Sequence, residues 1–544
     1  MRHLTQKERK LFALKNISES LVLLFGFLSF VACLFFFLLP FFASFAPLFS
    51  SSSIIRNEKN ATSSFFSIFI FTITHSFFSS LLAILITLPL AFFCANRSFW
   101  GKKFLLSLSS IPLTIPAIVI AVSYILFFGN NGFFTTTLSK VIGFRINSFL
   151  YSMSGIIITQ GFYNFPIAMR LITENFLKVP QNEKDCATLL GAKPWYIFKT
   201  ITLPYIFPSI LSSFLIIFLF CFFSFVIILL FGGVGSSTIE VEIYKCVSYL
   251  FDEKLGAKLC LIEFIFGFFI LNVYSYFKAK TEIKTNKTET NKIVQKIEDK
   301  YEKIFFFFLL LIVIIFLLLP IASILLYSFY SVQYDYSSIY SFTFKAWYNV
   351  IFSYSFYKSL FNTLYVAFFT VLFCSFATLF FSYLRFFYIH HSYLDLLTLL
   401  PLATSSIMLG FGWNVLDFGN IVVLILTQSS LFFLFEYSQF QSNVTKIPKE
   451  LIEASLLLSK SKKQTFFNII LPLSYKGLIT GGAFVFAMSI ADASLPLMLG
   501  IENFNTLALE LFNYASSYRF SESAVLAVIL LFLSSSAFLL NNKE

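Results

Sequence analysis

Ionisable and amide side chains are costly inside an apolar segment, so those found there are the first candidates for chemistry. Here they are few: Asp492 in the run SIADASLPLML, and Gln160, Asn164 and Gln428 in other runs. Ser224 stands 268 residues before Asp492, and Gln160 stands the same distance before Gln428. Such a set suits non-covalent handling of a polar solute in transit, and it equally suits hydrogen bonds that tie membrane helices together. Catalysis is not indicated. No carboxylate pair, histidine cluster or Ser/His/Asp pattern stands out, and the four histidines fall near the N-terminus or the expected membrane edges. Glu263 falls near a helix start and carries no assigned role. The seven cysteines show no CxxC and no metal-ligand spacing, which predicts neither a disulfide framework nor a metal site.

The polar residues are positioned by segments that repeat. Residues 178–204 (KVPQNEKDCATLLGAKPWYIFKTITLP) and 446–472 (KIPKELIEASLLLSKSKKQTFFNIILP) align in one register, so that Lys178, Pro180, Asp185, Ala187, Ile201, Leu203 and Pro204 face Lys446, Pro448, Glu453, Ser455, Ile469, Leu471 and Pro472. Asn182 to Leu190 has no helix breaker, Gly191 permits a sharp bend, and Pro194 suits the first turn of a second short helix carrying Trp195 and Phe198. An apolar ridge with charged flanks is a key for a cleft in a soluble partner. An amphipathic helix resting on lipid headgroups is the alternative, less apt for two copies in phase. Pro204 and Pro472 are expected to begin the next membrane helices, where a missing N–H costs nothing.

Around these loops the chain is 58% hydrophobic and 12% charged, with many apolar runs exceeding the ~18 residues needed to cross a bilayer. This predicts an all-α polytopic membrane protein. Runs near 20–47, 64–95, 104–128, 150–172, 205–232 and 256–277, then 304–328, 359–388, 393–415, 419–440, 474–499 and 523–540, give about 12 transmembrane helices in two sets of six. The first run is too long for a signal-peptide core and is read as the first membrane helix. The halves are 1–277 and 304–544, and the Lys/Glu-rich segment 278–303 is a tether without an apolar face. The net charge of +12 reflects lysines and arginines on one set of loops, which places both repeated loops, the linker and both termini in the cytoplasm by the positive-inside rule. Nucleic-acid binding is not indicated. On the other side, loops 233–255, 329–358 and 498–522 could receive a soluble protein through Glu240, Glu242, Asp252, Glu253 and Arg519.

The repeated loops resemble the EAA loop of permease subunits in bacterial binding-protein-dependent ABC importers. The matching positions are Asp185-Cys186-Ala187, Gly191, Ile201 and Leu203-Pro204, then Glu453-Ala454-Ser455, Ser459, Ile469 and Leu471-Pro472. Asp185 and Cys186 depart from the usual Glu-Ala, and Ser459 stands where a bend glycine is expected. That serine either pays for a positive φ or lets the second loop bend less. The resemblance covers about 60–275 and 355–540. It implies a tandem duplication of the six-helix type I importer permease domain in the bacterial cytoplasmic membrane, with Asp185, Cys186, Ala187, Gly191, Glu453, Ala454, Ser455 and Ser459 coupling to a separate ATPase subunit. The chain has no GxxxxGK[ST] loop. The resemblance therefore implies two copies of an ABC ATPase carrying ATP and Mg, no cofactor on this chain, and an extracytoplasmic solute-binding protein.

Within the family the chain is most similar to fused permeases for thiamine and its phosphates, with iron(III) permeases second. The similarity lies in the Ser-Phe, Gly-Gly, Thr-Ile-Glu and Ile-Tyr elements of Cys221 to Asp252 and in Gly161-Phe-Tyr-Asn-Phe-Pro166. Asp492 with nearby aromatic residues suits a cationic, aromatic solute. A secondary transporter also uses internal repeats, but those are often inverted, whereas these halves run parallel.

Overall fold

The computed structural model describes residues 6–49, 58–99, 101–107, 115–143, 148–232, 237–285, 295–297, 299–331, 341–388, 399–459 and 461–539. Nearly all of these are helical, and the two short strand pairs are Arg97–Ser98 with Gln295–Lys296 and Tyr330–Ser331 with Ser341–Phe342. Ten helices among the described residues are long and apolar enough to cross a membrane. Two of the twelve expected runs do not meet that description. The helix Met153–Leu177 carries Gln160, Asn164, Arg170 and Glu174, and the helix Ser406–Val415 is too short, most of residues 393–405 lying before it or outside the described set. The outward faces of the first and seventh runs bear rows of exposed Leu and Phe, such as Leu24, Phe25, Leu28, Phe305, Phe307 and Phe308, as surfaces meeting lipid require.

The duplication is visible element by element. Met153–Leu177, Leu203–Phe222, Val226–Phe231, Ile239–Lys245 and Glu253–Thr285 of the first half correspond to Ile421–Val444, Leu471–Ala491, Ser494–Leu499, Leu507–Ser516 and Phe520–Leu539 of the second. Even a tertiary hydrogen bond is repeated. The Ile239 amide donates to Thr72 Oγ1 at 3.2 Å, and the Leu507 amide donates to Thr363 Oγ1 at 2.8 Å. Each bond ties the start of a short helix to a long helix, Glu58–Asn96 or Tyr354–Phe387.

The first helix of each half packs on the opposite half. Gln6–Ala43 lies against Tyr354–Phe387, Ser406–Val415 and Ile421–Val444, while Lys300–Val313 and Leu319–Phe329 lie against Glu58–Asn96 and Ala117–Phe128, with Leu319–Phe329 also touching Phe520–Leu539 of its own half. The approach is close: a Cβ on Gly412 would stand 1.9 Å from the Pro40 carbonyl oxygen, and one on Gly26 2.7 Å from that of Phe376. The halves are thus interlocked, and the sequence boundaries do not coincide with packing boundaries. The expected free tether is also partly built in. Its first residues continue the helix Glu253–Thr285, Gln295–Lys296 pairs in parallel with Arg97–Ser98, and Arg97 Nε meets Glu302 Oε1 at 2.9 Å.

A turn of π-helix precedes three prolines. Phe198–Thr202, Phe466–Ile470 and Ile314–Leu318 end two residues before Pro204, Pro472 and Pro320. Proline lacks an N–H and its ring crowds the carbonyl four residues back, so the helix widens there instead of breaking. Pro204 and Pro472 therefore sit inside continuous helical paths that start at Pro194 and Lys462, upstream of the expected starts.

Candidate functional site: a cavity between the halves and two surface loops

The helices Leu203–Phe222 and Leu471–Ala491 both end at a sharp break, at Ser224 and at Asp492, before the chain resumes in a short helix. These two breaks border a cavity of about 270 Å³. Asp492, Ser224, Gln160 and Asn164 line it, with Phe220, Phe223, Phe432 and Phe435 among the walls. Gln428 is not in the wall. It stands behind Asp492 and donates from Nε2 to Asp492 Oδ2 at 2.9 Å, while its Oε1 accepts the Ser489 hydroxyl at 2.7 Å. Asp492 Oδ1 accepts the amides of Ser494 and Leu495 at 3.0 and 3.3 Å, so the carboxylate also caps the short helix Ser494–Leu499. The arrangement can present a fixed negative charge to a solute without any covalent role.

Opposite, Gln160 Oε1 accepts the Ser79 hydroxyl at 3.2 Å and lies 3.2 Å from His75 Nδ1. Asn164 Nδ2 donates to the Gln160 carbonyl at 3.0 Å and lies 3.6 Å from Cys221 Sγ. His75 corrects a sequence expectation. It is fully buried in the span Phe65–Asn96, not at a membrane edge. A single histidine in an apolar run carries no periodic signal, so only its neighbour across the helix pair reveals it.

Two more expectations change. Glu240, expected on an exposed outer loop, is completely buried on the helix Ile239–Lys245, and Glu263, left unassigned, is completely buried as well. Glu242 pairs with Lys245 at 2.8 Å, Asp252 Oδ1 accepts the Leu255 amide at 3.0 Å, and Arg519 pairs with Glu522 at 3.1 Å. Short helices turn these segments back against the protein, a fold-back that charge content alone does not signal. Glu436, buried and bonded to the Ser375 hydroxyl at 2.5 Å, was likewise not singled out by sequence.

The repeated loops stand one helix length, about 30 Å at 1.5 Å per residue, from the cavity breaks. The first is the helix Gln181–Leu189, a bend at Gly191 with φ +80°, and the turn Pro194–Ile197. The second is Lys449–Leu458 followed by Ser459 at φ −85°. Ser459 therefore adopts no strained backbone, and the second bend differs: its hydroxyl meets Thr465 Oγ1 at 2.7 Å, and Ser461 caps the next turn. Asp185, Cys186, Glu453 and Ala454 are exposed, with Ala187 and Ser455 half-buried. Gln181 Nε2 donates to Asp185 Oδ1 at 2.9 Å. Partial burial lowers the Lys184 ammonium below its usual range, with Asp185 opposing. Each loop ends in a bare leucine pair: Leu189 and Leu190, and in the same place Leu457 and Leu458, are all 88% exposed.

The fold is that of an all-helical, polytopic membrane protein with a cavity between repeated halves. Residues 87–280 match the family described as "Binding-protein-dependent transport system inner membrane component". It is similar to the thiamine transport system permease protein ThiP of Haemophilus influenzae, 29% identical over 39% of this chain and 40% of that protein. ThiP of Escherichia coli is 30% identical over 36% of each chain. The molybdenum transport system permease protein ModB of Haemophilus influenzae is 27% identical over 36% of this chain and 88% of its own length. The matched stretch thus spans about two fifths of the first relatives' length.

Proposed function

We propose that the chain is the membrane permease of an ATP-driven ABC importer, moving a small solute handed over by an extracytoplasmic binding protein, with thiamine or its phosphates as the solute. The observation that carries this reading is the pair of leucine-tipped loops, each joined through one continuous helix to a break at the cavity wall, at Ser224 or at Asp492. Two exposed leucines per loop are surface in want of a partner groove. An ATPase dimer in the cytoplasm, one subunit per loop, fills that need. Its closure on ATP would draw the loops together and swing the helices they lead into, opening the cavity outward. Nucleotide acts only through its different affinity for the two states, so the loops must stay seated in both.

Thiamine rests on the similarity to ThiP and on the cavity itself, an aromatic-walled space with a carboxylate at its edge, which suits a cationic ring. An oxyanion would meet the wrong charge at Asp492. Two measurements test the reading. In the first, an ATPase subunit co-purifies with the chain and is lost with Gly191→Trp combined with Glu453→Arg; retention of both ATPase and uptake in that variant rejects the coupling role. In the second, labelled thiamine accumulates in a bacterial strain lacking its own importer when this chain and its partners are expressed, and no accumulation rejects the substrate.

A further inference from the structure

The cavity does not end at Asp492. It continues into a second lobe of about 170 Å³ that shares Phe220, Phe223, Phe225, Phe432 and Phe435 as walls. Glu240 stands in the far wall of that lobe, completely buried, with Glu263 of the helix Glu253–Thr285 against it and Ser405 beside both. By distance and angle none of the four carboxylate oxygens accepts a full hydrogen bond, and what they face is each other and the Ser405 hydroxyl. Other acids are at least partly provided for: Glu436 and Glu510 each hold a serine hydroxyl on one oxygen, and half-buried Asp492 takes three donors, whereas Glu240 and Glu263 have both oxygens unpaired by geometry. Among the described residues, moreover, no lysine or arginine is buried, while five glutamates are. Two touching carboxylates in an apolar wall cannot both be charged unless a cation lies between or before them. Among the described residues none does.

We infer that Glu240 and Glu263 form a second binding subsite, which takes the positively charged part of an organic cation lying along the aromatic walls between them and Asp492. The walls decide between an organic and a metal cation. A metal ion needs a cage of oxygens, whereas five phenylalanines favour a delocalised positive ring, held by cation–π contact and by the carboxylates at the end. The inference rests on reading the cavity as a solute path and names the class of solute.

The test is made on the complete transporter, purified in detergent, with dicyclohexylcarbodiimide, which converts a carboxyl in an apolar site to a stable acylurea that mass spectrometry locates. Glu240 is expected to be labelled, saturating thiamine to cut that labelling at least fivefold, and molybdate to leave it unchanged. Protection by tetramethylammonium but not by thiamine would uphold the subsite and reject thiamine as the cargo. Equal labelling with and without both cations, or no labelling of Glu240 and Glu263, overturns the inference. As a second readout, E240Q is expected to raise the KM of uptake about tenfold and E240D to restore most of that loss; an unchanged KM for E240Q counts against the subsite.

Discussion

Gln428 Nε2 lies 2.9 Å from Asp492 Oδ2, and this contact gives one carboxylate two duties. Oδ1 caps a helix while Oδ2, held by Gln428, borders the cavity. The duties separate by mutation. Asp492→Asn keeps an oxygen for the cap, removes the charge and gives up the Gln428 bond, so the variant is expected to retain the short helix with uptake KM raised tenfold or more. Asp492→Ala loses both, with about 1 kcal/mol of cap added to the transport defect. Uptake kinetics beside thermal unfolding distinguish them, and a wild-type KM for Asp492→Asn reduces the residue to a cap.

The two loop bends respond differently to substitution. Gly191 has φ +80° with open space where a Cβ would stand, so Gly191→Ala incurs only the backbone penalty, about 1–2 kcal/mol. Ser459 has ordinary backbone, and Ser459→Ala removes its bond to Thr465, about 1 kcal/mol. Ser459→Gly is therefore expected to bring no gain in ATPase binding, as measured by co-purification. A gain would mean that the serine holds the second loop in an unfavourable bend.

Thr363→Val leaves the buried Leu507 amide without an acceptor, at a cost of about 1–3 kcal/mol, and Thr72→Val does the same to Ile239. Serine at either position is expected to restore most of the loss in thermal unfolding. Equal melting for the valine variants would show that these bonds do not hold the short helices in place.

Gly412→Ala drives a methyl into the Pro40 carbonyl, backbone against backbone, and is expected to displace the first helix from the second half and to abolish expression of folded protein. Gly482→Ala, whose nearest neighbour is Val371 Cγ1 at 3.4 Å, is the matched control expected to fold. Size-exclusion profiles of the two check the interlocking of the halves.

Much of this architecture can be read from sequence because it is periodic. The loop at 178–204 repeats at 446–472, its helix and glycine bend follow from local chemistry, and the grouping of Ser224, Asp492, Gln160 and Asn164 at one cavity matches their shared isolation in apolar runs. What sequence conceals is tertiary. Gln428 looks like Gln160 in sequence, yet one supports a cap from behind and the other faces the cavity. Glu240 has the composition of a solvated loop, and only the fold-back of Ile239–Lys245 buries it. His75 and Glu436 acquire meaning from Gln160 and Ser375, partners 85 and 61 residues away. The exchange of first helices leaves no mark in hydropathy at all, since a lipid-facing helix reads alike whichever half it touches.

The central claim is that the two loops move relative to each other as a partner turns over ATP. Cys186 is the one exposed cysteine, on the first loop, and the other six are buried, so a spin label on Cys186 and another on Ala454→Cys report the loop-to-loop distance directly. In the complete transporter, electron–electron resonance is predicted to show that distance shorten with ATP and Mg and lengthen again after hydrolysis. One distance distribution, unchanged by nucleotide, contradicts the account.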